Sequence, residues 1–194
     1  MIPKNTKKVM LYLLRNLELV NINQISKNLS ISVGSAFKIL RKLEKESILI
    51  SSNLGNAKFY QINLKSDETI RWCEILLSEE RRNLKGYPKI YAEEIQKFEY
   101  SELIILFGSV LANKNFNDVD VLFITGKTKE VTKFCLNISK IKTKPVVPLI
   151  LTREDFVKEI KSKKEAVLNI LKTGVILRGE SLFLEVLKNV KQQR

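Results

Sequence analysis

Apolar positions recur every three or four residues at Val9, Met10, Leu13, Leu14 and Leu17, which predicts a helix over Thr6 to Leu19 with one buried face. Asn21-Ile22-Asn23 offers an N-cap for a short helix through Ile25 and Leu29, and Ser30-Ile31-Ser32 makes a turn that caps a third helix. In the third helix Ala36, Ile39, Leu40 and Leu43 stand at i, i+3, i+4 and i+7 and are expected to face the core. The opposite stripe holds Gly34, Phe37, Lys38 and Arg41, with Phe37 suited to either core or surface. The pattern then turns strand-like. Ile48 to Ser52 and Lys58 to Asn63 read as two strands around Asn53-Leu54-Gly55-Asn56-Ala57, a composition that suits a hairpin.

Further on, Glu68 to Arg82 carries Ile70, Trp72, Cys73, Ile75, Leu76 and Leu77 in an amphipathic helical pattern. Gly86-Tyr87-Pro88 is expected to break it before a second helix over Ile90 to Phe98. An apolar strand closes on Leu106-Phe107-Gly108-Ser109, and Asp118-Val119-Asp120-Val121-Leu122 begins another. Glu130 to Ile141 reads as a helix, Val146 to Leu151 as a strand, and Thr152 as the N-cap of a helix containing Phe156 and Ile160. Lys163 to Leu171 is expected to be helical, Val175 to Leu177 extended, and Leu182 to Val190 a closing helix. Alternation of strand and helix in this half points to an α/β domain with a sheet flanked by helices.

Strand geometry gives the central segment its chemistry. Side chains alternate faces, so Asp118 and Asp120 share a side while Val119 and Val121 turn to the core. Two residues of strand span about 6.6 to 7 Å, close enough for both carboxylates to reach one magnesium or straddle two metals about 3.5 to 4 Å apart. Oxygen ligands suit that hard cation. Gly108 allows φ above zero and close backbone approach, and Ser109 with neighbouring N–H groups can donate to phosphate. The plainer reading is a solvated strand end, since Asn117-Asp118 is ordinary turn chemistry.

Leu106 to Phe123 resembles the minimal nucleotidyltransferase domain of the polymerase-beta superfamily, whose signature is a hydrophobic residue, Gly, Gly or Ser, a spacer, then Asp, hydrophobic, Asp. The resemblance implies that Gly108 and Ser109 grip a nucleoside triphosphate and that Asp118 and Asp120 bind Mg2+ and act in catalysis. It also implies a possible partner toxin, because such domains often act as antitoxins. The chain departs from the pattern in three places. Ala112 is followed by Asn113 and Lys114 where the family often has arginine, and the spacer is slightly short. The strand expected to carry the third carboxylate, Lys144 to Leu151, has no acid, while Glu154 and Asp155 beyond it suit the first turn of the next helix. In the family that acid positions or deprotonates the attacking hydroxyl, and a general base is worth typically 10² to 10⁴ in rate. The chain has no histidine to replace it. A slow transferase, an enzyme that recruits an acid from elsewhere and a nucleotide-sensing relic all remain open. The ending Leu177-Arg178-Gly179-Glu180 followed by helix also resembles the family's close.

Residues 1–65 resemble a winged helix-turn-helix domain over nearly their whole length, in which the second helix of the pair enters the major groove. This implies double-stranded DNA as partner, with Ser32, Ser35, Lys38, Arg41 and Lys42 on or beside it and Asn56 and Lys58 on the wing. For any single charge a solvated helix face is the simpler account. Residues 1–65 contain eleven Lys and Arg against three Glu, a net +8 of the chain's +13, while residues 66–100 carry −2 and residues 101–194 carry +7. That balance favours polyanions through phosphate neutralisation. It does not separate DNA from RNA.

The expected organisation is therefore α+β and α/β in two domains: a DNA-binding domain over 1–65, a helical connector over 66–98 and a nucleotidyltransferase-like domain over 99–194. The function expected is a transcription regulator that binds nucleotide and magnesium, or alternatively an active nucleotidyltransferase acting on a protein or nucleic-acid hydroxyl. Half-site geometry leads to the expectation of a homodimer. No apolar stretch is long enough to span a bilayer, so a cytoplasmic location without membrane contact is expected. Cys73 and Cys135 lack zinc-binding spacing and read as buried free thiols.

Overall fold

A computed structural model describes residues 2–112 and 115–192 as a mixed α+β fold, with nine α-helices and two small sheets among the described residues. The chain divides into two compact units, Met1–Leu76 with Leu187–Arg194, and Leu77–Val186. Among the described residues no helix is long and apolar enough to cross a membrane.

In the first unit, α1 (Lys4–Arg15) buries Val9, Met10, Leu13 and Leu14, as their spacing requires. It stops four residues before the expected Leu19. The side chain of Asn16 donates to the Tyr12 carbonyl at 2.7 Å, and the Lys191 ammonium donates to the carbonyls of Leu13 and Asn16 at 2.9 and 2.6 Å, so the last turn is satisfied without further helix. Val20–Asn21 then form a short strand, β1, that sequence periodicity does not reveal. Asn21 also caps α2 (Ile22–Leu29) through a capping box: its Oδ1 accepts from the Gln24 N–H at 3.0 Å, and Gln24 accepts from the Asn21 N–H at 2.8 Å. Ser30 ends that helix in the left-handed region at φ 51°.

Helix α3 (Val33–Lys45) is capped by Ser32, whose hydroxyl accepts from the Ser35 N–H at 3.2 Å; Ala36, Leu40 and Leu43 are buried and Ile39 is half-buried. β2 (Leu49–Leu54) and β3 (Ala57–Ile62) pair antiparallel, and β1 adds to β3, giving the order β1-β3-β2. Leu54 pairs directly with Ala57, so the connection is the two residues Gly55-Asn56 rather than the five-residue loop expected. Gly55 has φ +59°, which a type II′ turn demands of its first central residue.

α4 (Asp67–Arg82) and α9 (Glu180–Gln192) each contribute residues to both units, so the segment 66–98 forms no unit of its own. The helical pattern expected to break before Ile90 does break, with α4 ending at Arg82, and in the second unit α5 (Gly86–Ile95) begins on the Gly86-Tyr87-Pro88 triplet, four residues before the expected start. Pro88 falls in the first helical turn, where a missing N–H costs nothing. The sheet contains β4 (Leu103–Phe107), β5 (Val119–Ile124), β6 (Val146–Leu151) and β7 (Val175–Arg178) in the order β6-β5-β4-β7. Only β5 and β6 are parallel; a parallel pair needs a crossover, which α6 (Thr128–Ile141) supplies. α7 (Arg153–Lys161), capped by Thr152, and α8 (Glu165–Thr173) follow β6. One core gathers Ile104, Leu106, Val119, Val121, Phe123 and Val131 with Tyr91 and Ile95 of α5. The Tyr91 hydroxyl accepts from the Lys144 N–H and donates to the Lys144 carbonyl, both at 2.9 Å, fixing the entry to β6.

The Leu177-Arg178-Gly179-Glu180 segment has a structural role. Gly179 lies at φ +86° with its Cα against the Glu102 carbonyl, Arg178 donates to the Gln96 carbonyl at 3.1 Å, and Glu180 accepts from Arg81 at 2.7 Å and Ser78 at 3.1 Å. Cys73 and Cys135 are buried free thiols, and burial pushes each up to about 12.

Candidate functional site

Each unit presents one candidate site. In the second, β5 puts Val119 and Val121 fully into the core and leaves Asp120 half-buried on the other face, across from Phe107 at the end of β4. The chain then turns at Gly108, which has φ +82°. A Cβ there would fall on Oδ2 of Asp120 and stand 3.1 Å from its Cγ. Only glycine accommodates both the backbone conformation and the carboxylate beside it. Ser109 is exposed and opens a single 3-10 turn, Ser109–Ala112, rather than an α-helix. Such a turn is too short to concentrate a helix dipole on an anion. Asn113 and Lys114, noted above for the absent arginine, lie outside the described residues.

Asp118 precedes β5 and is half-buried. Burial pushes the Asp120 carboxyl above the usual aspartate range, and the negative charge of Asp118 pushes it further, so the two acids are near enough to repel. Among the described residues no group of three or more His, Cys, Asp or Glu is placed to hold a metal ion. In register beside Asp120, on β6, stands Val147, 45% exposed. The pair still fits magnesium, which is commonly held by one or two carboxylates and completed by water and substrate phosphate oxygens.

Because the folded-state value of Asp120 is raised, its contribution favours the fold below the unfolded aspartate value of about 4 and is lost as pH rises through the folded value. At neutral pH the ionised group is therefore a small cost. Asp120→Asn is expected to raise the thermal midpoint at pH 7 and to lose that advantage near pH 4. Equal midpoints at pH 7 would mean the repulsion is relieved by solvent.

In the first unit, Ser32, Ser35, Lys38, Arg41 and Lys42 are all exposed on α3 or at its cap, and Asn56 and Lys58 are exposed on the hairpin. Lys38 and Arg41 have no acid partner among the described residues. Lys42 lies 3.8 Å from Glu46, and Lys58 lies 2.7 and 2.8 Å from the two carboxylate oxygens of Glu44. Glu44 also accepts from Ser51, and the hydrogen bond from Lys58 is the main cause holding its carboxyl below the usual range. The Lys58 charge is thus shared with α3. Sequence reasoning missed Glu44, since nothing local signals a bond spanning 14 residues. It also missed Val147, whose place beside Asp120 depends on parallel register, and Val33, exposed beside the expected DNA face.

No family model matches the chain, and no curated protein or solved structure matches it.

Proposed function

We propose that this protein is a DNA-binding transcription regulator whose second unit binds a magnesium–nucleotide complex. The observation that carries the reading is α3: Ala36, Leu40 and Leu43 are buried on one side, while Ser35, Lys38, Arg41 and Lys42 are exposed on the other beside the Gly55-Asn56 hairpin. The order of helix, short strand, two helices and hairpin supports a winged helix-turn-helix reading, with α3 as the helix that enters the major groove. Mobility shifts of duplex DNA at several salt concentrations test it. Binding that weakens steeply with salt is expected, and no retention even at low salt would sink it.

For the second unit, the supporting geometry is Gly108 against Asp120 with Asp118 within charge range. Asp118 and Asp120 would hold the cation, backbone N–H groups of the turn at Gly108 would meet the phosphate tail, and the exposed Ser109 hydroxyl would donate to it. Magnesium, when bound, neutralises phosphate charge and relieves the repulsion between the acids. Saturating Mg-ATP, at about 100 times its Kd, is expected to stabilise the chain by about 2.7 kcal/mol. An Asp118→Ala, Asp120→Ala variant is expected to show no such gain. An equal gain in both proteins, or none in the wild type, removes the nucleotide reading.

Nucleotidyl transfer is the second reading, favoured by the same Gly108–Asp120 contact. A side chain beside Asp120 would have to take the proton of the attacking hydroxyl, and Val147 has no group to do so. Transfer from labelled ATP is therefore expected to be slow in the wild type and to rise on the order of 10²-fold in Val147→Asp. Label transfer that is fast in the wild type, or unchanged in Val147→Asp, would show that the proton goes elsewhere.

A further inference from the structure

The exposed side of α3 is not uniformly polar. Val33 and Phe37 are 48% and 51% exposed and lie four residues apart, so with Arg41 they form one stripe along the helix; Gly34, Lys38 and Lys42 form the next. Single exposed apolar side chains are ordinary. Here two are adjacent, in the first half of the helix, with the exposed cations Lys38 and Arg41 following directly. Gly34 presents no side chain, and nothing lies within 4 Å of where its Cβ would be, which permits close approach of the helix to a partner.

We infer that Val33 and Phe37 read thymine C5-methyl groups in the major groove, an inference that rests on the DNA-binding reading above. The major-groove edges of adenine, guanine and cytosine are recognised through donors and acceptors, while thymine adds a methyl group that aromatic and aliphatic side chains contact. Charge points to a nucleic acid, since the stripe sits in a segment of net +8 beside cations suited to the flanking phosphates, and the exposed apolar pair favours DNA, whose thymine carries the methyl that uracil lacks. The expected preference is for A·T steps that present methyls to the first two turns of α3.

Removing that methyl alone tests the assignment. Short duplexes of alternating dA and dT are compared with duplexes of alternating dA and dU, using the full chain, Phe37→Ala and Val33→Ser at low salt. The wild type is expected to bind the thymine duplex about fourfold more tightly for each methyl buried, the factor corresponding to about 0.8 kcal/mol per methyl-sized group. Phe37→Ala and Val33→Ser are each expected to lose about fourfold of that preference, the share of one buried methyl. Phe37 is half in solvent, so its removal is expected to leave the fold intact; if it does not, Val33→Ser carries the same comparison. Equal wild-type affinity for the two duplexes overturns the inference and leaves DNA binding standing. Discrimination that persists undiminished in both variants also overturns it, because the duplexes then differ for another reason. If Phe37→Ala abolishes self-association while discrimination is unchanged, the stripe is a contact between copies of the chain. Failure to retain either duplex overturns the DNA-binding reading itself.

Discussion

Gly179→Ala is expected to destabilise the second unit by roughly 3 to 5 kcal/mol, a large share of the 5 to 15 kcal/mol typical of a folded domain. Two costs combine. At φ +86° an L-residue loses about 1 to 2 kcal/mol to backbone strain. The new Cβ would also fall on the Glu102 carbonyl oxygen and stand 2.8 Å from the Leu103 Cα, and backbone at the start of β4 cannot rotate away as a side chain could. The same segment holds Arg178 on the Gln96 carbonyl and Glu180 on Arg81, so displacement would loosen those bonds too. Chemical denaturation of the full chain measures the loss. Gly126→Ala, where nothing lies within 4 Å of the place a Cβ would take, is the comparison and is expected to be near neutral. Equal midpoints for Gly179→Ala and wild type would show that the β4 entrance yields. Gly108→Ala should cost less stability, because the atom in its way is the Asp120 carboxylate, which can turn aside and take the site geometry with it.

The second large effect concerns DNA. Lys38→Ala combined with Arg41→Ala is expected to lower duplex affinity on the order of 10²-fold and to reduce the slope of log affinity against log salt by about 1.8, at about 0.9 for each phosphate left unneutralised. These two cations are exposed and have no acid partner among the described residues, so their full charge is available to a polyanion. Lys58→Ala is expected to matter less despite its place on the hairpin, because Glu44 holds that ammonium at 2.7 Å. Titrations of the same duplex over a salt series decide the matter. A double variant with unchanged slope would mean that α3 does not face the phosphates, and the groove-reading helix would have to be sought elsewhere.

Much of the fold is legible where the determinant is local. The Asn21 capping box, the Ser32 and Thr152 caps, the one-sided burial of α1 and α3, and the Val146–Leu151 strand all follow from side-chain chemistry within a few residues. Features set by distant pairing are not. β1 is two residues long and exists because Val20 and Asn21 meet Tyr60 and Phe59, a partnership no short window contains. The Gly86-Tyr87-Pro88 triplet reads as a breaker by composition, yet proline in a first turn is compatible with helix, and α5 uses it so. At the aspartate pair, alternation along the chain correctly sends Val119 and Val121 inward. The identity of the neighbour across the strand, Val147, depends on a register that only the folded sheet specifies.

Pro148 lies in the middle of β6, one of the two edge strands of its sheet. Proline has no N–H, so the rim of the sheet lacks one donor where an incoming strand would need it. Ribbon-like growth from chain to chain is disfavoured along that border, and an apolar run such as Val146 to Leu151 is kept from templating aggregates. Two molecules that associate are therefore expected to meet through a surface other than that border.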